Sequence, residues 1–438
     1  MKRFLAVILL TGCTATANSV VTSKEISVVS NNTPKNIIMI IGDGMGPAYT
    51  TAYRYFVDDP DTPSIEKTVF DRHFVGMAST FPARESGYVT DSAAGATALA
   101  TGVKSYNGAI SVDSDKRPLT SVLTFAKAKN KKIGVVVTSQ VNHATPATYL
   151  THNEDRNNYN QIADSYVDDG WKTDVLLGGG LKYFHREDRN LIEEFKKDNG
   201  HFINHYQQLS DLPDNKPVLG LFANIGLPWA IDDKQANRLK TMTKAAISAL
   251  SNTEGGFFLL IEASQIDWGG HKNDIATAMA EMHDLAKTLE YLEVFVAENP
   301  DTLVVLTADH STGGLSLGAN GKYEWEPKVL RQMTMSPQAI AQKITEQKLN
   351  QQTLNTMLNF ELTDEEYALL YEIEAADLVN AITINIRQII DGRTNTGWST
   401  SAHNAVDVQV FALGNSKNIF SGSQDNTDIA KKLFKLLK

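Results

Sequence analysis

Short apolar segments of strand length recur along the chain and alternate with longer segments that read as helices, such as residues 119–130 and 274–298. This alternation favours an α/β fold, in which a central, mostly parallel sheet is sandwiched between helices. Polar side chains of the metal-ligating types stand beside several of the apolar runs. These runs are residues 37–41, 133–137, 257–261, 303–307 and 408–413.

The segment 319–396 differs in pattern and predicts a helical insert between the strand before Asp309 and the strand near His403. Ser336 and Pro337 have the N-cap and first-turn pattern of a helix start, and Thr363 with Glu366 matches a capping box. An apolar residue recurs every four positions further on, at Leu378, Ile382, Ile386 and Ile390. The segment reads as a packing unit, because no pattern in it indicates chemistry.

The N-terminus has the pattern of a bacterial export signal. Lys2 and Arg3 precede an apolar run at 4–10 that is too short to span a membrane as a helix. The following Leu-Thr-Gly-Cys resembles a lipobox, in which Cys13 becomes a lipid-anchored first residue. The alternative is a plain signal peptide that is cut later. We therefore expect an exported protein, periplasmic or held in the outer membrane as a lipoprotein.

These patterns divide the chain into a signal peptide at 1–13, a flexible tether at 14–34, a core at 35–318, the insert at 319–396 and a core completion at 397–438. Within the core, residues 182–240 are more polar and irregular, and we expect them to form a surface elaboration. Cys13 is the only cysteine, so an intrachain disulfide is excluded.

The charge of the chain bears on its partners. It carries 41 Lys and Arg against 51 Asp and Glu, a formal net charge of −10. A nucleic-acid-binding protein would show a basic patch or stripe, so nucleic acid is not an expected partner. An anionic substrate must instead be held by local positive charge, from metal ions or an arginine.

Metal-ligating side chains cluster beside the apolar runs. In an open α/β sheet, ligands bind outside the carboxyl ends of the strands, so these side chains are expected to meet. Asp267 and His271 would face the same way on a helical turn, and both are ordinary zinc ligands. The pattern predicts one polynuclear metal site with the candidate ligands Asp43, His143, Thr145, Glu262, Asp267, His271, Asp309, His310 and His403.

A stretch of small residues at 90–98 contains the candidate nucleophile. Asp91 or Thr90 can cap a helix whose first turn contains Ser92, and a helix N-terminus favours a phosphate group. No Gly-x-Ser-x-Gly elbow surrounds Ser92, which argues against an α/β-hydrolase triad. Arg156 could bind two phosphate oxygens through its guanidinium fork. From the residues alone, a packing helix and a solvated loop arginine remain alternatives.

Six segments together resemble the alkaline phosphatase family, in the family's order: residues 36–46, 90–102, 143–146, 257–271, 303–314 and 398–403. The resemblance implies a hydrolase of small phosphate monoesters that releases an alcohol and inorganic phosphate. It implies a phosphoserine intermediate on Ser92, with Arg156 binding phosphate and Asp91 orienting that arginine. Relatives are often homodimers, so a homodimer is expected. The resemblance also implies a crown-like insert, and the helical segment 319–396 would then be an enlarged crown or an interface arm.

The resemblance also implies two Zn²⁺ and a third metal, usually Mg²⁺. Asp267, His271 and His403 match the ligands of one zinc. Asp43, Asp309 and His310 match those of the second, which also contacts Ser92. Asp43, Thr145 and Glu262 match those of the third metal.

Two departures from the family pattern change these expectations. The best-known bacterial branch has Asp at the position of His143 and Lys at that of Trp268. An imidazole is a poorer magnesium ligand than a carboxylate, so the identity of the third metal stays open, as does the choice between His143 ligating it and only holding a water. Many relatives have disulfides, and their absence here predicts a looser protein that depends more on its metals for stability.

Other functions compete with this interpretation. A sulfatase would carry its nucleophile in a Ser-x-Pro-x-Arg context, which Ser92 lacks. A diesterase on the same scaffold is harder to exclude, although Arg156 favours monoesters because it can bind the two free oxygens that a monoester offers. A zinc- or phosphate-binding lipoprotein is the non-enzymatic alternative, and it does not explain a complete set of nucleophile and ligands.

Overall fold

The apolar runs of the sequence form strands of one large sheet. The computed structural model describes residues 33–168, 170–213 and 215–438, so the predicted signal peptide, Cys13 and all but the end of the tether lie outside the described residues. The strands are β1 (Asn36–Gly42), β2 (Phe74–Ser79), β3 (Lys132–Gln140), β4 (Val175–Gly179), β5 (His201–Ile203), β6 (Val218–Leu221), β7 (Phe257–Ala263), β8 (Thr302–Thr307), β9 (Ser311–Thr312), β10 (Leu315–Leu317), β11 (Thr396–Trp398), β12 (His403–Asn404), β13 (Val408–Gly414) and β14 (Gly422–Asp425).

Helices connect these strands along most of the chain. They are α1 (Pro47–Val57), α2 (Val69–His73), α3 (Ser92–Thr101), α4 (Val122–Ala128), α5 (Ala144–Leu150), α6 (Tyr159–Asp164), α7 (Leu181–Phe184), α8 (Leu191–Lys197), α9 (Arg238–Leu250), α10 (Gln265–His271), α11 (Ile275–Glu298), α12 (Pro337–Glu346), α13 (Gln351–Leu358), α14 (Asp364–Tyr371), α15 (Leu378–Thr394) and α16 (Asn426–Leu436). Within the described residues, none of them is both long and apolar enough to cross a membrane.

The main sheet has ten strands in the order β14-β2-β13-β8-β1-β7-β3-β4-β6-β5. Strand β13 runs antiparallel to its neighbours β2 and β8, whereas the other pairs are parallel. The predicted fold class, a mostly parallel sheet flanked by helices, is therefore confirmed. Strands β5 and β6 extend one edge of this sheet, so the segment 182–240 is more than the surface elaboration that its polar composition suggested.

The centre of the sheet fixes where the carboxyl ends of its strands lie. The β1 residues 37–41 are fully buried, as expected for a strand covered by helices on both faces, which reads as a continuous apolar run. Ile41 pairs with Glu262 of β7 on one side and with Thr307 of β8 on the other. Glu262 in turn pairs with Val137 of β3. Residues that follow these strands consequently emerge side by side.

The helix starts predicted in the segment 319–396 are confirmed, because the predicted residues cap the N-termini of two helices. Ser336 accepts a hydrogen bond from the Ala339 amide at the start of α12, and Thr363 forms a capping box with Glu366 at the start of α14. The apolar stripe of α15 is buried at Ile382, Ile386 and Ile390, whereas Leu378 at its first turn is partly exposed. Whether 319–396 is a separate unit stays a prediction.

Candidate active site and metal centre

Four of the candidate ligands lie at the carboxyl ends of four adjacent strands, β8, β1, β7 and β3. Asp43 directly follows β1, Glu262 lies within the last residues of β7, and Asp309 comes shortly after β8. His143 is the N-cap of α5, just beyond β3. These side chains are buried, and the carboxylates of the first three are completely so. The fold thus brings side chains from distant segments into one cluster.

The first ligand group consists of Asp267, His271 and His403. Asp267 and His271 lie one turn apart on α10, with Oδ2 of Asp267 3.4 Å from Nε2 of His271. Nε2 of His403 lies 3.0 Å from Nε2 of His271 and 3.5 Å from Oδ1 of Asp267. Their Nδ1 atoms face backbone carbonyls, Ser401 for His271 at 2.7 Å and Thr90 for His403 at 2.9 Å. An Nδ1–H bonded to a carbonyl leaves Nε2 free to ligate, as is usual for metal-binding histidines.

The second group consists of Asp43, Asp309 and His310, around the hydroxyl of Ser92. Nε2 of His310 lies 3.4 Å from Oδ1 of Asp43, 3.3 Å from Oδ2 of Asp309 and 3.1 Å from Oγ of Ser92. Both carboxylate oxygens of Asp43 and Oδ2 of Asp309 are buried without a hydrogen-bond partner. Buried carboxylate oxygens without donors are costly unless a cation compensates them.

The third group consists of Asp43, Glu262, His143 and Thr145. Ligand atoms of the first three lie within 4.8 Å of one another. Oε1 of Glu262, Nδ1 of His143 and Oγ of Thr145 are buried without hydrogen-bond partners, whereas Oε2 of Glu262 accepts a hydrogen bond of 2.7 Å from the Ser264 hydroxyl. Thr145, the second residue of α5, thus adds a hydroxyl oxygen beside the carboxylates.

The electrostatics of these acids favour bound cations. Burial raises the pKa of Glu262 to about 7 and that of Asp309 to about 7, and repulsion from Asp267 contributes to the shift of Asp309. Burial, followed by repulsion from Asp309 and Asp267, raises the pKa of Asp43 well above its ordinary value. Divalent cations are the usual compensation for such a concentration of negative charge. The unpartnered oxygens therefore fit bound metal ions.

Ser92 is held at the N-terminus of a fully buried helix. Asp91 is the N-cap of α3, and its Oδ1 accepts a hydrogen bond of 2.9 Å from the Ala94 amide. Gly95 lets the helix pack closely on the metal-ligand cluster, because a Cβ atom at this position would lie 2.9 Å from the carbonyl oxygen of Asp309. The result is a serine hydroxyl beside the second ligand group, where the helix N-terminus favours negative charge.

Arg156 lies on the other side of Asp91. Its Nη1 donates to Oδ2 of Asp91 at 3.0 Å, and its Nη2 lies 3.3 Å from Nε2 of His143. The Gly108 amide donates to the same Asp91 oxygen at 3.0 Å, so this carboxylate is fixed from two sides. Arg156 is mostly buried rather than a solvated loop arginine, with 18% of its side chain exposed.

Thr312 belongs to the site, although the sequence analysis did not identify it as a candidate residue. Its hydroxyl donates to Oδ1 of Asp267 at 2.5 Å and lies 3.2 Å from Nδ1 of His310. The pairing of β9 with β12 sets Thr312 opposite His403. The only signal in the sequence is the position of Thr312 two residues after His310, which is weak because threonine is common in strands.

The site combines a buried serine at a helix N-terminus with an arginine and three groups of metal-type ligands. This combination suits the metal-dependent hydrolysis of phosphate esters. The family model described as "Alkaline phosphatase" matches residues 34–438. The chain belongs to the alkaline phosphatase family, and its reaction is the hydrolysis of phosphate monoesters. The predictions of family, enzyme class and metal dependence are thereby confirmed.

Individual relatives are similar to this protein over nearly its whole length. Alkaline phosphatase 3 of Bacillus subtilis (strain 168) is 44% identical over 92% of this chain and 89% of its own. The crystal structure of a cold-active alkaline phosphatase from a psychrophilic Shewanella sp. is 52% identical, with a TM-score of 0.88 over 92% of this chain and all of that one. The enzyme of the Antarctic bacterium TAB5 is 27% identical, with a TM-score of 0.70, covering 93% of this chain and 98% of its own.

Proposed function

We propose that Ser92 is the nucleophile that forms a phosphoserine intermediate, which water then hydrolyses to inorganic phosphate. One observation carries this proposal: Oγ of Ser92 is buried at the start of α3 and lies 3.1 Å from Nε2 of His310, within the second ligand group. In the first step the Ser92 oxygen bonds to phosphorus and the ester oxygen leaves as the alcohol. In the second step water attacks the same phosphorus and restores Ser92.

Arg156 and Asp91 position the phosphoryl group in this proposal. The guanidinium fork binds two non-bridging phosphate oxygens, and Asp91 holds Arg156 in place through the 3.0 Å ion pair. The N-terminus of α3 adds favourable partial charge for the remaining oxygen. A monoester offers two oxygens to the fork and a diester only one, so these residues favour monoesters over diesters.

Two Zn²⁺ and one Mg²⁺ are the metals that we propose for the three groups. The Asp267, His271 and His403 set offers nitrogen and carboxylate donors suited to zinc, as does the Asp43, Asp309 and His310 set. The third group offers mainly oxygens, which suit magnesium, although the nitrogen of His143 is a donor that magnesium does not favour. When bound, such cations lower the pKa of a coordinated hydroxyl or water and neutralise developing negative charge.

Crystal structures of TAB5 variants bear on the third site. Two variants of that enzyme, in which one histidine is replaced by Glu or by Asp, have Mg bound in a site called M3. We propose that the group formed by Asp43, Glu262, Thr145 and His143 corresponds to such a site. Replacing His143 with Asp would then raise the preference of this group for Mg²⁺ over Zn²⁺, as measured by competitive metal titration.

The test of the nucleophile compares wild type with Ser92→Ala on 4-nitrophenyl phosphate, after zinc and magnesium loading. We expect turnover that a chelator abolishes and that Ser92→Ala lowers about a thousandfold or more. Equal turnover in the two proteins would show that another group, or water directly, attacks phosphorus. Metal content and the melting curve of the variant serve as controls for folding.

We also propose that the protein is exported and lipidated on Cys13, on the basis of its N-terminal sequence pattern. We propose that it is homodimeric because members of the family often are. Labelling with a fatty acid in a bacterial host, beside Cys13→Ala, tests the anchor. Incorporation into wild type alone supports it, and no incorporation supports the plain signal peptide. Light scattering of the purified protein decides between monomer and dimer.

A further inference from the structure

The helix α15 of the insert lies against the two segments that carry the histidines of the first ligand group. These segments are the turn 272–274, directly after His271, and the loop 398–402, directly before His403. Two polar side chains of α15, those of Arg387 and Asp391, are four residues apart and therefore lie on the same face of the helix. Each of them contacts one of the two segments, so the insert reaches the surroundings of the metal centre.

Asp391 holds the beginning of the loop before His403. The indole Nε1–H of Trp398 donates to the Asp391 carboxylate, at 3.1 Å to Oδ2 and at 3.2 Å to Oδ1. The ring of Trp398 also packs on Gly313, where a Cβ atom would lie 2.7 Å from the ring. Gly313 directly follows Thr312, which pairs with His403 between β9 and β12. Through Trp398, Asp391 thus fixes the loop that leads to this histidine.

Arg387 holds the turn after His271. Its Nη1 donates to the backbone carbonyl of Lys272, the residue that follows this histidine. Its Nε donates to the Thr383 carbonyl of its own helix at 3.2 Å, which limits the rotation of the guanidinium. The buried Asp274, the N-cap of α11, lies at the end of the same turn and attracts the guanidinium electrostatically. Arg387 is therefore held between its own helix and the turn.

The two segments are also joined to each other. Nδ1 of His271 faces the Ser401 carbonyl at 2.7 Å. The side-chain amide of Asn273, oriented so that its nitrogen faces two carbonyls, donates to Gly270 at 3.0 Å and to Thr400 at 2.9 Å. A shift of either segment would consequently move the two imidazole Nε2 atoms that lie 3.0 Å apart in the first ligand group.

We propose that Arg387 and Asp391 are positioning residues, through which the insert sets the metal affinity of the first ligand group. This role rests on the proposed function, since it requires that the group binds a metal ion. Hydrogen-bonded partners behind metal ligands fix the orientation of those ligands, and here the partners act on the backbone of the two ligand segments. The insert, whose sequence indicates packing alone, therefore takes part in building the metal centre.

Zinc affinity measures this role without catalysis. Arg387→Met removes the guanidinium donors and keeps an apolar stem, and Asp391→Leu removes the acceptor of the Trp398 indole. Partners behind metal ligands contribute about 10- to 100-fold to metal affinity. Because these two act through the backbone, we expect each variant to bind zinc about 10-fold more weakly in competition with a chromogenic chelator. Asp391→Asn, which keeps an acceptor for the indole, should restore wild-type affinity.

Cadmium-113 NMR of the cadmium-loaded protein shows which ligand group responds, because each bound ion gives its own resonance. The variant His271→Ala identifies the resonance of the first group by its loss. We expect Arg387→Met and Asp391→Leu to shift this resonance and to leave the resonances of the other two groups in place. Equal shifts of all the resonances, or no shift at all, would overturn the proposed role.

Arg393→Met is the matched control, because it removes an ion pair within the insert, in which Nε of Arg393 donates to Glu366 at 2.9 Å. We expect this variant to lower Tm about as much as Arg387→Met does, with wild-type zinc affinity and wild-type cadmium resonances. If Arg387→Met and Asp391→Leu also lower Tm without changing zinc affinity, the two residues only stabilise the insert and the proposal is wrong.

The binding measurements separate this role from the phosphoserine proposal. Zinc affinity that depends on Arg387 and Asp391, in a protein whose turnover does not depend on Ser92, would support the positioning role and contradict the phosphoserine proposal. Turnover that requires Ser92, with wild-type zinc affinity in both Arg387→Met and Asp391→Leu, would overturn the positioning role alone.

Discussion

Thr312 links two of the ligand groups through one hydroxyl. Its Oγ donates to Oδ1 of Asp267 at 2.5 Å and lies 3.2 Å from Nδ1 of His310. Burial, together with the neighbouring His403, lowers the pKa of His310 well below its ordinary value, so its imidazole is neutral. An Nδ1–H that donates to Thr312 fixes the tautomer in which Nε2 is free to face Ser92 and the carboxylates.

Thr312→Val keeps the shape of the side chain and removes both hydrogen bonds. Loss of such a partner behind metal ligands costs about 10- to 100-fold in metal affinity or activity. We therefore expect zinc affinity, measured by competition with a chromogenic chelator, to fall by about this factor. Thr312→Ser retains the hydroxyl and is the matched control. Wild-type affinity in Thr312→Val would show that Asp267 and His310 hold their positions without it.

Arg156→Lys tests the two-oxygen grip on phosphate. Lysine keeps the charge but loses the bidentate fork, and hydrogen bonds to charged groups are worth about 1.5–3 kcal/mol. We expect kcat/KM for 4-nitrophenyl phosphate to fall about 10- to 100-fold. Activity on bis(4-nitrophenyl) phosphate should fall much less, because a diester offers only one of the two oxygens. An equal fall on both esters would contradict this role.

Metal removal should destabilise the protein, and more so at alkaline pH. In the metal-free protein Glu262 and Asp309 have a raised pKa of about 7, whereas in the unfolded chain they ionise near pH 4. Between about pH 4 and 7 the folded metal-free protein holds protons that the unfolded chain has lost, so its stability falls as pH rises through this window. In the metal-loaded protein, the bound cations instead offset the negative charge of the ionised carboxylates.

Thermal unfolding of the metal-loaded and metal-free proteins checks this expectation. We expect metal removal to lower Tm by at least about 5 °C at pH 8 and by less at pH 5, where the acids are protonated. The same Tm with and without metals would contradict the account of the acid cluster. A larger fall in Tm at pH 5 than at pH 8 would contradict it as well.

Asp391 provides a pH-dependent test away from the metal centre. Burial raises its pKa to about 7, although the indole N–H of Trp398 donates to it at 3.1 Å. Because the folded pKa is raised, the contribution of Asp391 to stability is complete below about pH 4 and is lost as pH rises to about 7. Asp391→Asn keeps an acceptor for Trp398 and removes the titration.

We therefore expect the free energy of unfolding of Asp391→Asn, relative to wild type, to rise between pH 4 and 7 and to level off above. The slope is at most about 1.4 kcal/mol per pH unit, and partial exposure of the carboxyl reduces it. Urea unfolding at several pH values measures the difference. A difference that does not vary with pH would show that Asp391 titrates normally.

The clustering of the candidate ligands could be predicted because it depends on strand order more than on detailed packing. Apolar runs end at Ile41 and Thr307, and parallel strands share the edge at which their carboxyl ends emerge. Asp43 and Asp309 therefore had to approach each other once β1 and β8 were neighbours. The start of α3 was also readable, because Thr90 and Asp91 precede a run of small helix-forming residues, and the structure assigns the N-cap to Asp91.

The residues that contact and position the site side chains could not be predicted in the same way. Thr312 and Ser264 are common residue types whose roles arise only when β9 pairs with β12 or when Ser264 folds back on Glu262. Trp229 lies in a segment that reads as irregular, and its contact with Trp268 depends on how the loop after β6 packs against α10. Such contacts are set by tertiary packing, which leaves no periodic signal in the sequence.

Trapping the phosphoserine intermediate tests directly whether Ser92 is the nucleophile. Metal-loaded wild type and Ser92→Ala are mixed with a phosphate monoester, quenched in acid and measured by intact mass and peptide mapping. We expect one added phosphoryl group in wild type, located on the peptide that contains Ser92, and none in the variant. A phosphoryl group elsewhere, or full turnover by Ser92→Ala, would contradict this role of Ser92.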